Sequence, residues 1–538
     1  MSQRGKAKSR TAAPVRSKPS TATTGSRAFT RRAQALRRRS TRKPTDSSKL
    51  PRVLSQARAS LQRIPKAAWL CAIVALVNAV CWSILTPPFQ VTDEPSHFAY
   101  TQQLAENTKL PTSSESTFSP EEEVVLRDIR QYEVRQSPET HAISTASEQQ
   151  RLQDDMNRRL SRHGEGGVGG AYADPPLYYL LETIPYGLAS SGTLLDQLEG
   201  MRLLSALMAG ITALFVFLFL RETLPRARWA WTVGALSVAL APLLGFISGA
   251  VNPDSMLTAV SAMSFYVLAR AFRRGLTRPL AIALGALIAV GFLTKVNFIG
   301  LVPGMVLGLI VLSVRASRSA GRSAYGSLGL ALTIALAPVW AYILVNLLSG
   351  HAALGVVSHV LELKGAQGSI FSKISYVWQL YLPRLPGMTT YFPGLSTTRG
   401  LWFNRGVGFY GWLDTSFPDW VNNLALVPTG ILTLLCLRAV AVDRAALRSR
   451  IAEVAVYAVM GLGLLTLIGL SSYIDSSEGL FADPRYLLPL IPLLGLALAL
   501  AALGAGRRWG PAVGALIIVL FLAHNIFSQI LVAGRYYS

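Results

Sequence analysis

Directly behind an apolar run at residues 67–86, the chain reads Pro87-Pro88 and then Asp93-Glu94-Pro95-Ser96-His97-Phe98-Ala99-Tyr100. Two adjacent carboxylates with a histidine three positions on suit two kinds of chemistry. A carboxylate partly desolvated at a bilayer edge can take a proton from a hydroxyl, and oxygen ligands of this type can help to hold a divalent cation. The plainer alternative is that Asp93 and Glu94 cap a short helix, since acids are favoured in a first turn. His97 would orient a carboxylate, ligate a metal, or simply sit on a helix surface. Asp254 follows Asn252-Pro253, where a helix starting at a proline carries an acid in its first turn with or without a further role. Lys295, between Thr294 and Asn297, has an amine long enough to snorkel to a surface or to reach an anionic group. Arg202 and Arg405 are phosphate candidates of the same kind, with structural roles as the alternative. His141, His163, His351, His359 and His524 show no ligand spacing.

The elements that must position these residues are membrane helices. Of 538 residues 51% are hydrophobic and only 15% charged, with a mean hydropathy of +0.36, against about 25% charged in soluble domains. The formal charge of +23 is concentrated in residues 1–66, which hold 19 Lys or Arg and the single acid Asp46. That head has almost nothing apolar to bury and should be a disordered tail. It is suited to orienting the chain or to meeting anionic lipid headgroups, at about 1 kcal/mol per basic residue near the surface, rather than to binding nucleic acid. Cys71 and Cys81 would lie about 15 Å apart on one helix, so no disulfide framework is expected.

Residues 67–86 are long enough to cross a hydrocarbon core of about 30 Å, and the long basic region before them reads as the flank of an uncleaved first span. Further runs of spanning length lie at 200–220, 228–249, 254–273, 279–296, 298–314, 326–348, 421–440, 452–472, 486–505 and 511–532. A weaker stretch, 175–191, is best kept as a surface helix. The clusters Arg221/Arg226/Arg228, Arg270/Arg273/Arg274/Arg278, Arg315/Arg318/Arg322, Arg438/Arg444/Arg448/Arg450 and Arg507/Arg508 then all fall on the side of the basic head, as the positive-inside rule asks. The fold class is therefore an all-α polytopic membrane protein of about eleven transmembrane helices. Its amino terminus is expected in the cytoplasm and its carboxyl terminus outside.

This topology gives a cytoplasmic tail (1–66), a first span (67–86), spans two to seven (200–348) and spans eight to eleven (421–538). Two long extracytoplasmic loops, 87–199 and 349–420, separate them. The first loop, which should carry surface helices, holds 18 of the 29 carboxylates. The second is aromatic, with Trp378, Tyr381, Tyr391, Phe392, Trp402, Phe403, Phe409, Tyr410, Trp412, Phe417 and Trp420 around Arg384, Arg399 and Arg405. It suits an interfacial lid, a saccharide platform or an aromatic belt at headgroup level.

Four strings in order carry a resemblance: PPFQVTDEPSHFAY, then Asp174-Pro175-Pro176-Leu177-Tyr178-Tyr179, then Asn252-Pro253-Asp254, then Arg485-Tyr486-Leu487-Leu488-Pro489. From about residue 67 to 532 the chain resembles a bacterial family of predicted polytopic membrane proteins of unassigned function. That family in turn is similar to the GT-C glycosyltransferases, such as the protein mannosyltransferases and the aminoarabinose transferases of lipid A. The resemblance implies a GT-C-like fold and an acidic catalytic base just after span one, matching Asp93, with Glu94 as the alternate. It implies a second acid in the next outer loop, matching Asp254. Asp174 matches a position where such transferases often have His, a departure that puts a metal role there in doubt. Arg485 matches an arginine suited to a lipid phosphate.

The activity implied is that of an inverting glycosyltransferase of the bacterial cytoplasmic membrane. The donor would be a polyprenyl-phosphate sugar, because nucleotide sugars are cytoplasmic and the site is expected outside. The acceptor would be an envelope glycan, lipid or protein. Arg485, with Lys295, Arg405 and Arg202, would bind the donor phosphate. A divalent cation, Mg or Mn, would be held by Glu94, His97, Asp174 or Asp254. Two other readings stay open: a lipid or polysaccharide transporter or flippase without transferase activity, and an O-antigen-type polymerase or ligase. No nucleotide-phosphate loop of Gly-x-x-x-x-Gly-Lys-Ser/Thr type, no paired Cys-x-x-Cys and no His-Glu-x-x-His occurs. The expected spans carry no acid near mid-membrane, which weighs against a proton-coupled carrier.

Overall fold

The structure, a computed structural model, describes residues 64–111, 115–320, 325–348, 353, 369–392, 394–474 and 482–538. The basic head up to residue 63, Arg322, His351 and His359 lie outside the described residues. From Pro65 onward the chain forms one compact unit, nearly all helical. In chain order the first part comprises α1 (Lys66–Leu85), α2 (Glu94–Asn107), α3 (Pro120–Asp128), α4 (Gln131–Gln136), α5 (Ala146–Asn157), α6 (Leu177–Leu188) and α7 (Leu194–Thr223). There follow α8 (Arg228–Ala239), α9 (Pro242–Ser248), α10 (Pro253–Arg274), α11 (Arg278–Thr294), α12 (Val302–Ala320) and α13 (Tyr325–Leu348). The second long connection holds α14 (Ile370–Tyr381), α15 (Leu395–Thr398), a π-helical turn (Arg399–Asn404) and α16 (Arg405–Val407). A two-residue hairpin, β1 (Phe409–Tyr410) against β2 (Thr415–Ser416), closes that connection, with Phe409 opposite Ser416 and Tyr410 opposite Thr415. The chain ends in α17 (Asp419–Val442), α18 (Arg444–Ser449), α19 (Ile451–Ile474), a 3-10 turn (Pro484–Leu490), α20 (Ile491–Gly504) and α21 (Gly506–Tyr537).

Among the described residues nine helical segments are long and apolar enough to cross a membrane. Two of the eleven expected spans take another form. The run 228–249 is a pair, α8 and α9, bent by 54°. Its apolarity is continuous, but Pro242 cannot continue an incoming helix, and the residue before a proline is pushed toward extended backbone; Ala241 has φ −65° and ψ 120°. A break inside lipid must have its freed polar groups satisfied, and the Asn78 side-chain amide donates to the Ala239 carbonyl at 3.1 Å. The run 279–296 is the 17-residue α11.

Packing follows membrane rules, with small residues between helices and large ones outward. On α1 the buried face is mostly small, Ala68, Cys71, Ala72, Ala75 and Ala79, with Asn78 and Trp82 buried at its end, whereas Leu70, Ile73, Val77 and Ile84 are exposed. The small face lies on α7, where a Cβ at Gly210 would meet the Ala72 carbonyl oxygen at 3.1 Å. The segment expected as a surface helix is α6, 12 residues long. Its Leu180, Ile184 and Leu188, four apart and so on one face, are exposed, while Tyr178, Tyr179, Glu182 and Tyr186 are buried on the other.

The aromatic loop divides. Trp402 stacks on Tyr381 with ring centroids 5.0 Å apart, Tyr410 packs against Trp82 and Phe246, and Phe417 stacks on Phe527. Those rings anchor the loop to the helices, while Trp378 and Trp420 face outward.

Helices α8 and α20 approach closely at Gly234, where a Cβ would lie 2.3 Å from the Gly495 carbonyl oxygen. Gly234→Val should lower the melting temperature of the detergent-solubilised protein, through overpacking that costs about 1–3 kcal/mol. Gly430→Ala, on α17 with nothing near its Cβ, should leave it unchanged. Equal melting of both variants would contradict the close approach.

Candidate active site

The turn after α1 decides the geometry. Thr86 caps α1 through its N–H to the Trp82 carbonyl, and Pro87-Pro88 prevents continuation. Phe89 and Asp93 then adopt left-handed backbone, φ 61° and 68°, a conformation that Asp tolerates better than most residues. Asp93 is the N-cap residue of α2 by position, but its side chain makes no capping hydrogen bond. The carboxylate turns instead to Arg485, 2.8 Å from Oδ2 to Nη2. Its side chain remains 42% accessible, so it lines a recess open to solvent. Burial by the surrounding protein is the largest influence and raises the Asp93 carboxyl, but the neighbouring charges together, Arg485 foremost with Lys295 behind it, outweigh burial and hold the group below its ordinary range.

Arg485 is the second residue of the 3-10 turn before α20. Asp483 orients it, accepting its backbone N–H at 2.8 Å, with Oδ2 3.5 Å from Nε. Burial raises the Asp483 carboxyl despite that neighbour. Lys295, in the extended residue between α11 and the next 3-10 turn, meets Asp254 at 3.0 Å from Nζ to Oδ1. Asp254 sits in the first turn of α10 behind the Asn252 cap, whose Oδ1 accepts the Asp254 N–H. Arg405 donates to the Ala482 carbonyl at 3.2 Å and lies over the Phe409 ring, with its charge felt at Asp483.

His97, one turn along α2 from Asp93, has Nδ1 2.9 Å from the Tyr179 hydroxyl, and that hydroxyl donates to Asp174 Oδ2 at 3.4 Å. Burial lowers the His97 imidazole to about 3, against the pull of Asp93, so it is neutral near pH 7. Burial pushes the Asp174 carboxyl up to about 6, opposed by Lys295 and reinforced by Asp254.

Glu94 and Arg202 do not join this recess. Glu94 is fully buried and its two oxygens take Arg202 Nε at 2.8 Å and Nη2 at 2.6 Å, with the Val251 N–H at 3.0 Å on Oε1. Arg202 gives its remaining hydrogens to the carbonyls of Ser83, Thr86 and Pro87. All five of its N–H donors are thus engaged within the protein, so Arg202 has none to offer the phosphate expected of it. Glu94 is closed as an alternate base for the same reason. The cation ligands expected from sequence also differ from the arrangement found: among the described residues no three His, Cys, Asp or Glu side chains converge as a metal site. Glu94 is taken by Arg202, Asp254 by Lys295, and His97 and Asp174 face Tyr179. The residues present do not fit a divalent cation.

The fold also leaves several polar atoms of these segments without hydrogen bonds. Among the described residues Asn252 Nδ2, Asp254 Oδ2, Asp483 Oδ2 and Arg485 Nε are buried and make no hydrogen bond. Such groups are costly unless a ligand or water satisfies them. Asn252 and Asp483 were not singled out in the sequence. The available signal was the pair of Asn-Pro and Asp-Pro steps, each placing a side-chain acceptor just ahead of a helical turn.

Two results are expected. Arg202→Met leaves Glu94 charged and unpaired in the interior and should destabilise the protein by about 3–5 kcal/mol, read as loss of the folded species on size-exclusion chromatography. Asp174 has a folded pKa raised above its unfolded value of 3.8 to about 6, so its favourable contribution is complete below about pH 4 and is lost as pH rises through 6. Asp174→Asn should therefore melt above wild type beyond pH 6, by a few kcal/mol at about 1.4 kcal/mol per pKa unit, with the gap closing below pH 4. A pH-independent gap would refute this account of Asp174.

The family model described as predicted membrane protein, DUF2142, matches residues 65–494. No curated protein matches the chain. Among solved structures, the crystal structure of ArnT from Cupriavidus metallidurans bound to undecaprenyl phosphate is similar at 14% identity and a TM-score of 0.42, covering 80% of this chain and 59% of that one. The oligosaccharyltransferase of Archaeoglobus fulgidus in the apo form is similar at 12% identity and a TM-score of 0.41, over 87% of this chain and 56% of that one. The chain thus spans less than three fifths of the length of these structures.

Proposed function

We propose a function for a chain that belongs to the DUF2142 family of predicted membrane proteins: it is a membrane glycosyltransferase of GT-C type. It transfers a sugar from a polyprenyl-phosphate donor to a hydroxyl of an envelope glycan, lipid or protein at the extracytoplasmic face. The observation that carries this reading is the ion pair of Asp93 and Arg485, a solvent-accessible carboxylate and a buried guanidinium brought to 2.8 Å from opposite ends of the chain. One partner is a base and the other a phosphate ligand. Few reactions need both within one recess, and displacement of a phosphate by a hydroxyl is one of them.

In the proposed step Asp93 takes the proton of the acceptor hydroxyl. The acceptor oxygen bonds to the anomeric carbon from the face opposite the phosphate, and the bond from that carbon to the phosphate oxygen breaks, leaving its electron pair on polyprenyl phosphate. The anomeric centre inverts. Arg485 offsets the charge gathering on the phosphate, with Lys295 and Arg405 nearby, and Asp483 holds Arg485 in place. Asn252 Nδ2 and Asp254 Oδ2 are available to sugar hydroxyls.

Asp93→Asn should lower transfer from labelled polyprenyl-phosphate sugars by at least about a hundredfold, the low end of general-base contributions, with membrane insertion and melting temperature retained. Full activity in that variant would remove Asp93 from the mechanism. Tight donor binding by wild type without turnover on any acceptor would favour a carrier instead.

A further inference from the structure

A second cluster of charge lies at the other ends of the helices that build the candidate site. Asp254 and Arg273 are both on α10, 19 residues apart, which at 1.5 Å per residue is about 30 Å and matches the thickness of a hydrocarbon core. There a cleft of about 230 Å³ opens among the ends of α7, α10 and α12 and the start of α19, lined by Glu222, Phe272, Arg273, Arg315, Arg450 and Glu453.

The pairing within the cleft is uneven. Glu222, fully buried, takes Arg273 at 2.8 Å and Arg274 at 3.0 Å. Glu453 takes Arg450 at 2.8 Å and the Tyr457 hydroxyl at 2.9 Å. Arg450 also donates to the Thr223 carbonyl, which fixes it between α7 and α19. Arg315 has no ion pair among the described residues; its guanidinium lies 5.7 Å from the centroid of the Phe272 ring. Three guanidinium groups, of Arg273, Arg315 and Arg450, therefore line the cleft against two carboxylates, with Arg274 on Glu222 outside the lining, leaving an excess of one positive charge in a cleft with an apolar wall.

We propose that this cleft binds a phosphate ester, the headgroup of an anionic phospholipid in the leaflet opposite the candidate site. Guanidinium groups recognise phosphate through paired hydrogen bonds, and a basic pocket between helices at an interface suits such headgroups. The buried glutamates hold Arg273, Arg274 and Arg450 in fixed directions, and the unpaired Arg315 supplies donors to the ligand. A zwitterionic headgroup carries a cation that the excess positive charge repels, so phosphatidylcholine is disfavoured although it too contains phosphate.

The test uses the delipidated full-length protein in detergent, titrated separately with short-chain phosphatidylglycerol, with phosphatidylcholine of the same chain length and with inorganic phosphate. Binding is read from the rise in melting temperature. Phosphatidylglycerol should stabilise wild type and phosphatidylcholine should not. Arg315→Gln should weaken phosphatidylglycerol about tenfold, in line with loss of one charged hydrogen-bonded partner, and Arg315→Lys should recover part of the loss. Arg226→Gln removes an equal charge from an exposed arginine outside the cleft and should change nothing. All variants keep the same basic head, so differences between them do not arise from it. Stabilisation by inorganic phosphate alone, lost in Arg315→Gln, would keep the phosphate site and assign it to the free ion. Equal affinity of wild type and Arg315→Gln, an equal loss in Arg226→Gln, or equal binding of phosphatidylcholine would each overturn the proposal.

Discussion

The buried pair of Arg202 and Glu94 is the constraint on which the candidate site rests. Taking two charges out of water is expensive, and the pair is tolerable only because no hydrogen of Arg202 and no oxygen of Glu94 is left unmatched. Its contacts join the end of α1, the Pro87 turn, the start of α2, α7 and the segment behind α9. Glu94 is thereby fixed in direction, and its neighbour has little freedom left. Asp93 takes a left-handed backbone, at a cost of about 1–2 kcal/mol, and its carboxylate leaves the pair for the recess. Two adjacent acids of the same chemical type acquire opposite settings, one as a closed structural charge and one as an accessible carboxylate.

A second buried arginine does for the loops what Arg202 does for the turn. Arg535, near the end of α21, pairs with Asp414 at 3.0 Å and donates to the carbonyls of Val134 and Thr140, while the Ala142 N–H reaches the Tyr536 carbonyl. The first long connection, the hairpin of the second and the last helix are held in one knot beside the site. Trp412 closes it, donating to the Phe89 carbonyl with Arg135 stacked on its ring. The walls of the recess are therefore made by loop residues that reach back to membrane helices.

How much of this was legible depends on whether a property is local. Apolar length is local, so the spans could be read from hydropathy, as could the amphipathic helix with Leu180, Ile184 and Leu188 on its exposed face. The break at Leu240-Ala241 has the same hydropathy as its surroundings, and only Pro242 betrayed it. In the site, the residue types around Asp93 and Arg485 were recognisable because each stands in a short distinctive string. Partner choice was not. Arg202 and Glu94 are 108 residues apart, and nothing in either neighbourhood says that this arginine faces a carboxylate and three carbonyls rather than a phosphate. The aromatic loop was misleading for a related reason: composition gives the rings, but whether Tyr410 and Phe417 face lipid, sugar or other rings depends on helices far away in sequence.

The charge pattern of the recess bears on how such a site would be switched on. In the structure Arg485 satisfies Asp93 and thereby keeps it a weak base, because a guanidinium at 2.8 Å stabilises the carboxylate. A lipid phosphate in the proposed reaction is a competing anion for the same guanidinium. Once it draws Arg485 away, Asp93 keeps its burial and loses its strongest compensating charge, so its proton affinity rises at the moment the donor is in place. Base strength then depends on donor occupancy without any moving lid. Arg485 Nε, which makes no hydrogen bond and only a 3.5 Å ion contact with Asp483, is where such a phosphate could first attach, before the Asp93 contact is given up. An Asp93 held by a neutral residue at position 485 would lack this dependence, being equally basic with and without donor, and the empty site would be no better guarded than the loaded one.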